Sequence, residues 1–435
     1  MFRLNRSIAP VPTWRKQPHL QGLRPHKPHD GLVMSDLWFV TGLLMALVFS
    51  LQLGDVRLGA IAITKHLPLM IALAGVLLMW MGTGLFNQRR ESGSHWPVLG
   101  AVWPFLLLGL YIVTGSLITR LSGTSQNTFL NNGMYMLFGL LLVRAVFSNP
   151  RAERLALAAV RLFAVVTGAM VLQMAVTWDR WLYHELQFVV VPMAVFFALR
   201  HVVPSGWDLA LVLLYMVGSL LFRKNTGVLV GAVTFAYLWG ADWKDRFVRL
   251  PSFRWKLIAV CLLVLLAALA AFAAIRLGKP DLLPTGNTAF RQATYAIAWE
   301  RFTASPIWGS AFMAESTSRF TGFDTGVARN VLPTHSDWLD ILANGGVIGA
   351  LLWLAGIWLT WRTVRRVDAA AASRQTLALI HCLACIFLAT LLSCMFNPLL
   401  SQPVVALMAW SSWGLCMGLA LRYATPRPST VLTHG

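Results

Sequence analysis

Four pieces of one segment decide how this chain is organised: Phe290-Arg291-Gln292-Ala293-Thr294-Tyr295, Ser305-Pro306-Ile307-Trp308-Gly309, Thr334-His335-Ser336-Asp337-Trp338-Leu339 and Asn344-Gly345-Gly346-Val347-Ile348-Gly349. They belong to residues 276–349, a long polar loop that runs into the last group of hydrophobic spans. Nearly everything outside it reads as lipid-facing helix. A chain that is mostly membrane has few places to do chemistry, and this segment is the largest of them.

The chain has 435 residues, 57% of them hydrophobic, with a mean hydropathy of +0.64. Only 12% are charged, about half the usual share for a soluble domain. Crossing a hydrocarbon core takes about 20 apolar residues per helix. The apolar runs predict twelve spans, near 36–53, 66–86, 97–119, 128–147, 155–177, 185–202, 207–222, 226–240, 256–275, 338–361, 375–396 and 401–421. The expected fold is therefore an all-α polytopic membrane protein of about 12 transmembrane helices, with a long periplasmic loop between helices 9 and 10. Its parts are a disordered basic cytoplasmic tail (1–35), helices 1–9 (36–275), the loop (276–337), helices 10–12 (338–421) and a cytoplasmic C-terminal tail (422–435). No small-residue cleavage site follows the first apolar run, so no cleaved signal peptide is expected.

The net charge of +19 could suggest nucleic acid, but the basic residues sit mainly between apolar runs, where they orient spans. With the N-terminus cytoplasmic, 23 Lys and Arg fall on the cytoplasmic side and 12 on the far side. Both termini are thus predicted inside, and the long loop outside. Outward cations work against that bias and need another purpose. Six of the twelve lie in 276–335, and Arg223 and Lys224 form a tight pair at a turn between two short spans. Clustered Arg and Lys at a bilayer surface suit an anionic ligand, with phosphate the first candidate. The five cysteines, Cys261, Cys382, Cys385, Cys394 and Cys416, all fall in apolar runs, which points to neither a disulfide framework nor a zinc site. No acidic cluster suggests a bound metal, and no cofactor is expected.

Residues 289–304 have helical character, stopped by Pro306. Spacing by four puts Arg291, Tyr295 and Trp299 on one face. Two readings stay open: an interfacial helix whose Arg meets lipid headgroups, or an Arg that grips a lipid-linked phosphate. Ser336 is the expected cap of the next helix, and Asp337 and Asp340 favour its start. His335 then lies just before an outward helix end. A neutral imidazole there can accept a proton from a hydroxyl, or it can simply be held by a loop carbonyl. Gly345 and Gly349 give a small-residue packing face. Inside spans, Arg161 and His381 are expected to snorkel, and Glu185, His184 and Arg180 in a short outward turn could line the site, though spacing does not require it.

These elements together resemble the bacterial O-antigen ligase and O-antigen polymerase superfamily. The resemblance rests on Arg223 and Lys224 at the outer end of a middle span, Arg291 with Tyr295, Pro306-Ile307-Trp308-Gly309, and His335 followed by Leu339, Leu342 and Gly345. It covers residues 285–355 closely, with the span layout in support. Ser310-Ala311 and Ser336 depart from the family pattern and leave the subfamily open. The resemblance implies a metal-independent, inverting glycosyltransferase of the inner membrane, active at the periplasmic face. An undecaprenyl-diphosphate-linked glycan would be the donor. The acceptor would be lipid A-core in lipopolysaccharide synthesis by a ligase, or a growing glycan for a polymerase. It also implies that Arg223, Arg291 and, more weakly, Lys224 bind the diphosphate, and that His335 positions or deprotonates the acceptor. Tyr295, Trp299 and Asp337 are candidates for lining the site. Membrane lipids are the other expected partner, and nucleic acid is not one. The competing class is a multi-span transporter of lipid-linked glycans or small molecules. Such proteins usually place their sites at the midplane between inverted repeats, whereas here the polar residues gather at one surface and no repeat is visible.

Overall fold

The computed structural model describes residues 34–50, 57–58, 61–87, 96–121, 129–177, 194, 229–234, 236–238, 287–313, 336–367, 371–400 and 402–424. Among them are nine long helices: α1 (Met34–Ser50), α2 (Ile63–Asn87), α3 (Trp96–Leu121), α4 (Phe129–Ser148), α5 (Ala152–Thr177), α6 (Asn287–Ala304), α7 (Asp337–Arg365), α8 (Arg374–Cys394) and α9 (Pro403–Arg422). A two-residue antiparallel ribbon, Arg57–Leu58 with Ile61–Ala62, precedes α2. Five helices are long and apolar enough to cross a membrane, namely α3, α4, α7, α8 and α9. In its described parts the chain is thus a mostly helical, membrane-embedded protein. The predicted spans at 207–222 and 256–275, and all but one residue of the span at 185–202, lie outside the described residues, whereas 229–234 and 236–238 of the span at 226–240 are described and helical.

Residue type explains where the helices begin. Ser336 and Ser373 cap α7 and α8, each hydroxyl accepting a backbone N–H three residues on, and Pro403 opens α9, where a missing N–H costs nothing. The helices run up and down, so their ends form two polar layers. One layer gathers the start of α1, the α4–α5 turn and the ends of α7 and α9. There the buried Asp36 carboxylate accepts from Arg151 Nε at 2.7 Å and from Asn149 Nδ2 at 2.7 Å. Arg422 donates to the Phe147 carbonyl, Tyr423 donates to Glu153, and Val367 pairs with Ala424. Arg144, Arg154, Arg362, Arg365 and Arg374 belong to helix ends in this same layer.

The core between the layers is aromatic. Phe105 of α3 meets Trp353, Phe387, Trp410 and Trp413 of α7, α8 and α9 edge-on, with centroids 5.2–6.2 Å apart. Such edge-to-face contacts are favourable beyond the area they bury. They fix α3 against α7, and that pair forms the wall on which the candidate site is built. Cys382, Cys385, Cys394 and Cys416 are buried and unbridged.

Candidate functional site at the interrupted start of α7

Helix α7 is broken. Gly346 has φ 61° and ψ −161°, far from helical values, so the N–H groups of Val347 and Ile348 cannot close the helical ladder. They donate instead to the carbonyls of Pro306 (2.8 Å) and Ile307 (3.3 Å), while the freed Asn344 carbonyl accepts from Phe312 N (3.0 Å). Residues 305–313, which follow α6, thus form an elbow plugged into the break. Gly309 is left-handed at φ 59°. A methyl group there would lie 2.5 Å from the Asn344 carbonyl carbon, and one on Gly115 of α3 would lie 1.9 Å from the Ala311 oxygen. Only glycine lets the elbow approach both helices so closely.

Asn344 is the hub of this junction. Its Oδ1 accepts from Arg301 (3.1 Å) and from the Ser310 hydroxyl (2.8 Å), and its Nδ2 donates to the Asp340 carbonyl (2.8 Å). Ala311 and Phe312 both sit at positive φ, which costs about 1–3 kcal/mol per non-glycine residue. The elbow holds them there by seating the Phe312 ring between Tyr111 and Phe129, with centroids at 5.3 and 5.4 Å.

The elbow fixes α6 against the first turns of α7, and this positions Arg291. Arg301 reaches Asn344 near one end of the pair, and near the other Tyr295 comes under the influence of both Arg291 and Asp340. Burial raises the Tyr295 hydroxyl above its usual pKa; Arg291 opposes the rise and Asp340 adds to it. The Arg291 Nε–H is buried with no hydrogen-bond acceptor among the described residues. A buried donor without an acceptor carries a desolvation cost, and a ligand oxygen would remove it. Trp299, expected on the same face, is more than half exposed and meets Phe302 in a tilted ring contact.

Asp337 serves the frame. Its Oδ2 accepts from the backbone N–H groups of Leu399 (2.7 Å) and Leu400 (2.9 Å), tying the start of α7 to the α8–α9 turn. With Asp340 and Asn132 it also lines a cavity of about 10 Å³, roughly room for one water molecule. His335, Arg223 and Lys224 lie outside the described residues. Among the described residues, no group of three or more His, Cys, Asp or Glu could hold a metal ion. His381 meets the Tyr237 hydroxyl at 3.0 Å through Nδ1, deep between helices and away from the elbow.

The junction itself is what sequence reasoning missed. Asn344-Gly345-Gly346 inside an apolar span was the available signal, because two successive glycines weaken a helix. Set against known proteins, the chain matches no family model, and no curated protein is significantly similar to it.

Proposed function

We propose that this chain is a multi-span glycan transferase of the bacterial inner membrane. It moves a saccharide from an undecaprenyl-diphosphate donor to a sugar hydroxyl at the periplasmic face, with lipid A-core as the acceptor in the manner of an O-antigen ligase. The observation that carries this reading is the buried Nε–H of Arg291, which has no acceptor among the described residues. It stands on a helix whose elbow joins the Pro306–Gly309 and Asn344–Gly346 motifs into one unit. The layer of Arg144, Arg151, Arg154, Arg362, Arg365, Arg374 and Arg422 would face the cytoplasm by the positive-inside bias, which turns Arg291 outward.

In this reading Arg291 and Arg223, with Lys224, neutralise the diphosphate as it leaves. Cations that meet charge developing on a leaving group stabilise the transition state. His335 immediately precedes the cap residue Ser336 in the chain. The positive end of a helix dipole disfavours imidazolium and keeps a ring beside it able to accept a proton. The acceptor hydroxyl loses its proton to His335 and attacks the anomeric carbon. The carbon–oxygen bond to the diphosphate breaks on the opposite side, so the configuration inverts without a covalent enzyme intermediate.

Purified variants in proteoliposomes test these roles. Arg291→Lys keeps the charge but loses the planar fork, and transfer should fall while the unfolding midpoint holds. General-base help is typically worth about 10²–10⁴-fold, so His335→Ala should lose transfer while still binding donor. Wild-type rates in either variant refute the role assigned to that residue.

A further inference from the structure

The Ser305–Met313 elbow is satisfied where it meets the protein and apolar where it faces out. Within it, Gly309 N donates to the Ser305 carbonyl, Ala311 N to Trp308 and Met313 N to Ser310. The carbonyls of Pro306 and Ile307 accept from α7, that of Trp308 from the Tyr111 hydroxyl at 2.6 Å, and that of Met313 from Thr119 Oγ1 at 2.5 Å. The outward side chains are Ile307 (59% exposed), Trp308 (57%) and Met313 (44%). A loop standing in water shows the reverse pattern, with polar side chains out and backbone groups left to solvent.

The depth of the elbow follows from its anchors. Tyr111 and Thr119 on α3 are eight residues apart, about 12 Å of helix. On α7 the break at Gly346 comes nine residues after Asp337, about 14 Å along the axis. Both helices are apolar spans. The two registers agree that the elbow reaches well below the helix ends. A hydrocarbon layer is about 30 Å thick, so this depth lies inside it. Irregular backbone is tolerated there only when its polar groups are met by protein, and protein meets the N–H groups of Gly309, Ala311, Phe312 and Met313 and the carbonyls of Ser305, Pro306, Ile307, Trp308, Ser310 and Met313. Its outward face also continues the exposed apolar surface of α7 at Val347, Leu351, Leu354 and Trp358.

We infer that residues 305–313 are a re-entrant segment whose outward face docks against the acyl chains of the bilayer. The inference is independent of the transfer chemistry, and its test needs no activity. Nitroxide labels are placed at Ile307→Cys and Trp308→Cys, with Leu354→Cys as the reference on a span. The full chain carries alanine at its native cysteines and sits in phospholipid nanodiscs. Power saturation with oxygen and with a nickel chelate should give the lipid pattern at all three positions, with oxygen colliding and nickel excluded. Nickel access at 307 and 308 overturns the inference in favour of a watery cavity. Exclusion of both reagents overturns it in favour of a second protein copy. Should the cysteine-free chain fail to fold, benzoylphenylalanine at Trp308 in the otherwise native chain gives the same decision. Irradiation in nanodiscs should add the mass of a phospholipid, and a crosslinked dimer or no lipid adduct contradicts the inference.

Discussion

Replacing Gly346 with alanine should separate the elbow from α7. The backbone at φ 61°, ψ −161° lies in a region open essentially to glycine alone, and an L-residue pays about 1–3 kcal/mol to stay there. The new Cβ would stand 2.3 Å from the Ile307 oxygen and 2.6 Å from Gly309 N, both backbone atoms with no freedom to swing aside. Relief requires the elbow to move, at the expense of the Val347–Pro306 and Ile348–Ile307 bonds, each worth about 1 kcal/mol net. The combined loss is about 3–5 kcal/mol. Gly349→Ala is the matched control. It lies on the same helix with nothing nearer than 3.4 Å to its Cβ, and it should be neutral or gain about 0.5–1 kcal/mol from helix propensity. Both variants are unfolded by SDS titration in mixed micelles and followed by far-UV circular dichroism. Similar midpoints for Gly346→Ala and Gly349→Ala would refute the interrupted helix.

Two further predictions concern the opposite layer. Arg151→Ala leaves the fully buried Asp36 carboxylate without its cation, whereas Asp36→Ala leaves a part-exposed Arg151 that water can reach; the first should cost about 3 kcal/mol and the second about 1 kcal/mol in the same SDS assay, and the reverse order contradicts the burial argument. Burial, then the bond and charge of Glu153, push the Tyr423 hydroxyl from 10.0 up to about 12 against a lowering by Arg422. Because the folded value is raised, the stabilisation is whole below pH 10.0 and disappears as pH climbs to about 12. The gap in unfolding midpoint between wild type and Tyr423→Phe should therefore close over that window; a gap that is constant with pH contradicts it.

Much of the helical frame was legible in the sequence because lipid makes a blunt demand. A run of about 20 apolar residues has few alternatives to a helix, so the spans expected at 97–119, 128–147, 338–361, 375–396 and 401–421 appear as α3, α4, α7, α8 and α9 with ends shifted by a few residues. Capping was legible for the same local reason, and Ser336 caps α7 as its hydroxyl chemistry predicts. The elbow was not legible. Its motifs stood out singly, but their pairing is made by backbone bonds across more than thirty residues, and periodicity carries no information about such contacts. Gly345 does serve packing, against the Phe312 ring, while a methyl group on Gly349 would meet only ordinary contacts, and the glycine between them, Gly346, breaks the helix. The helix that carries Arg291, Tyr295 and Trp299 at four-residue steps was legible, but such steps define a face and not what covers it. Asp337 was legible as a candidate site-lining carboxylate, but the bonds its Oδ2 accepts from Leu399 and Leu400 were not, since they depend on a turn sixty residues away.

The most direct measurement follows one labelled saccharide. Purified wild-type protein is reconstituted with undecaprenyl-diphosphate-linked, radiolabelled glycan and a lipid A-core acceptor. The account predicts that label passes into covalent linkage with the acceptor, that lipid diphosphate is released in equal amount, and that Arg291→Ala abolishes both. Label that crosses the bilayer still joined to its lipid, with no acceptor linkage formed, would contradict transfer and make this chain a transporter.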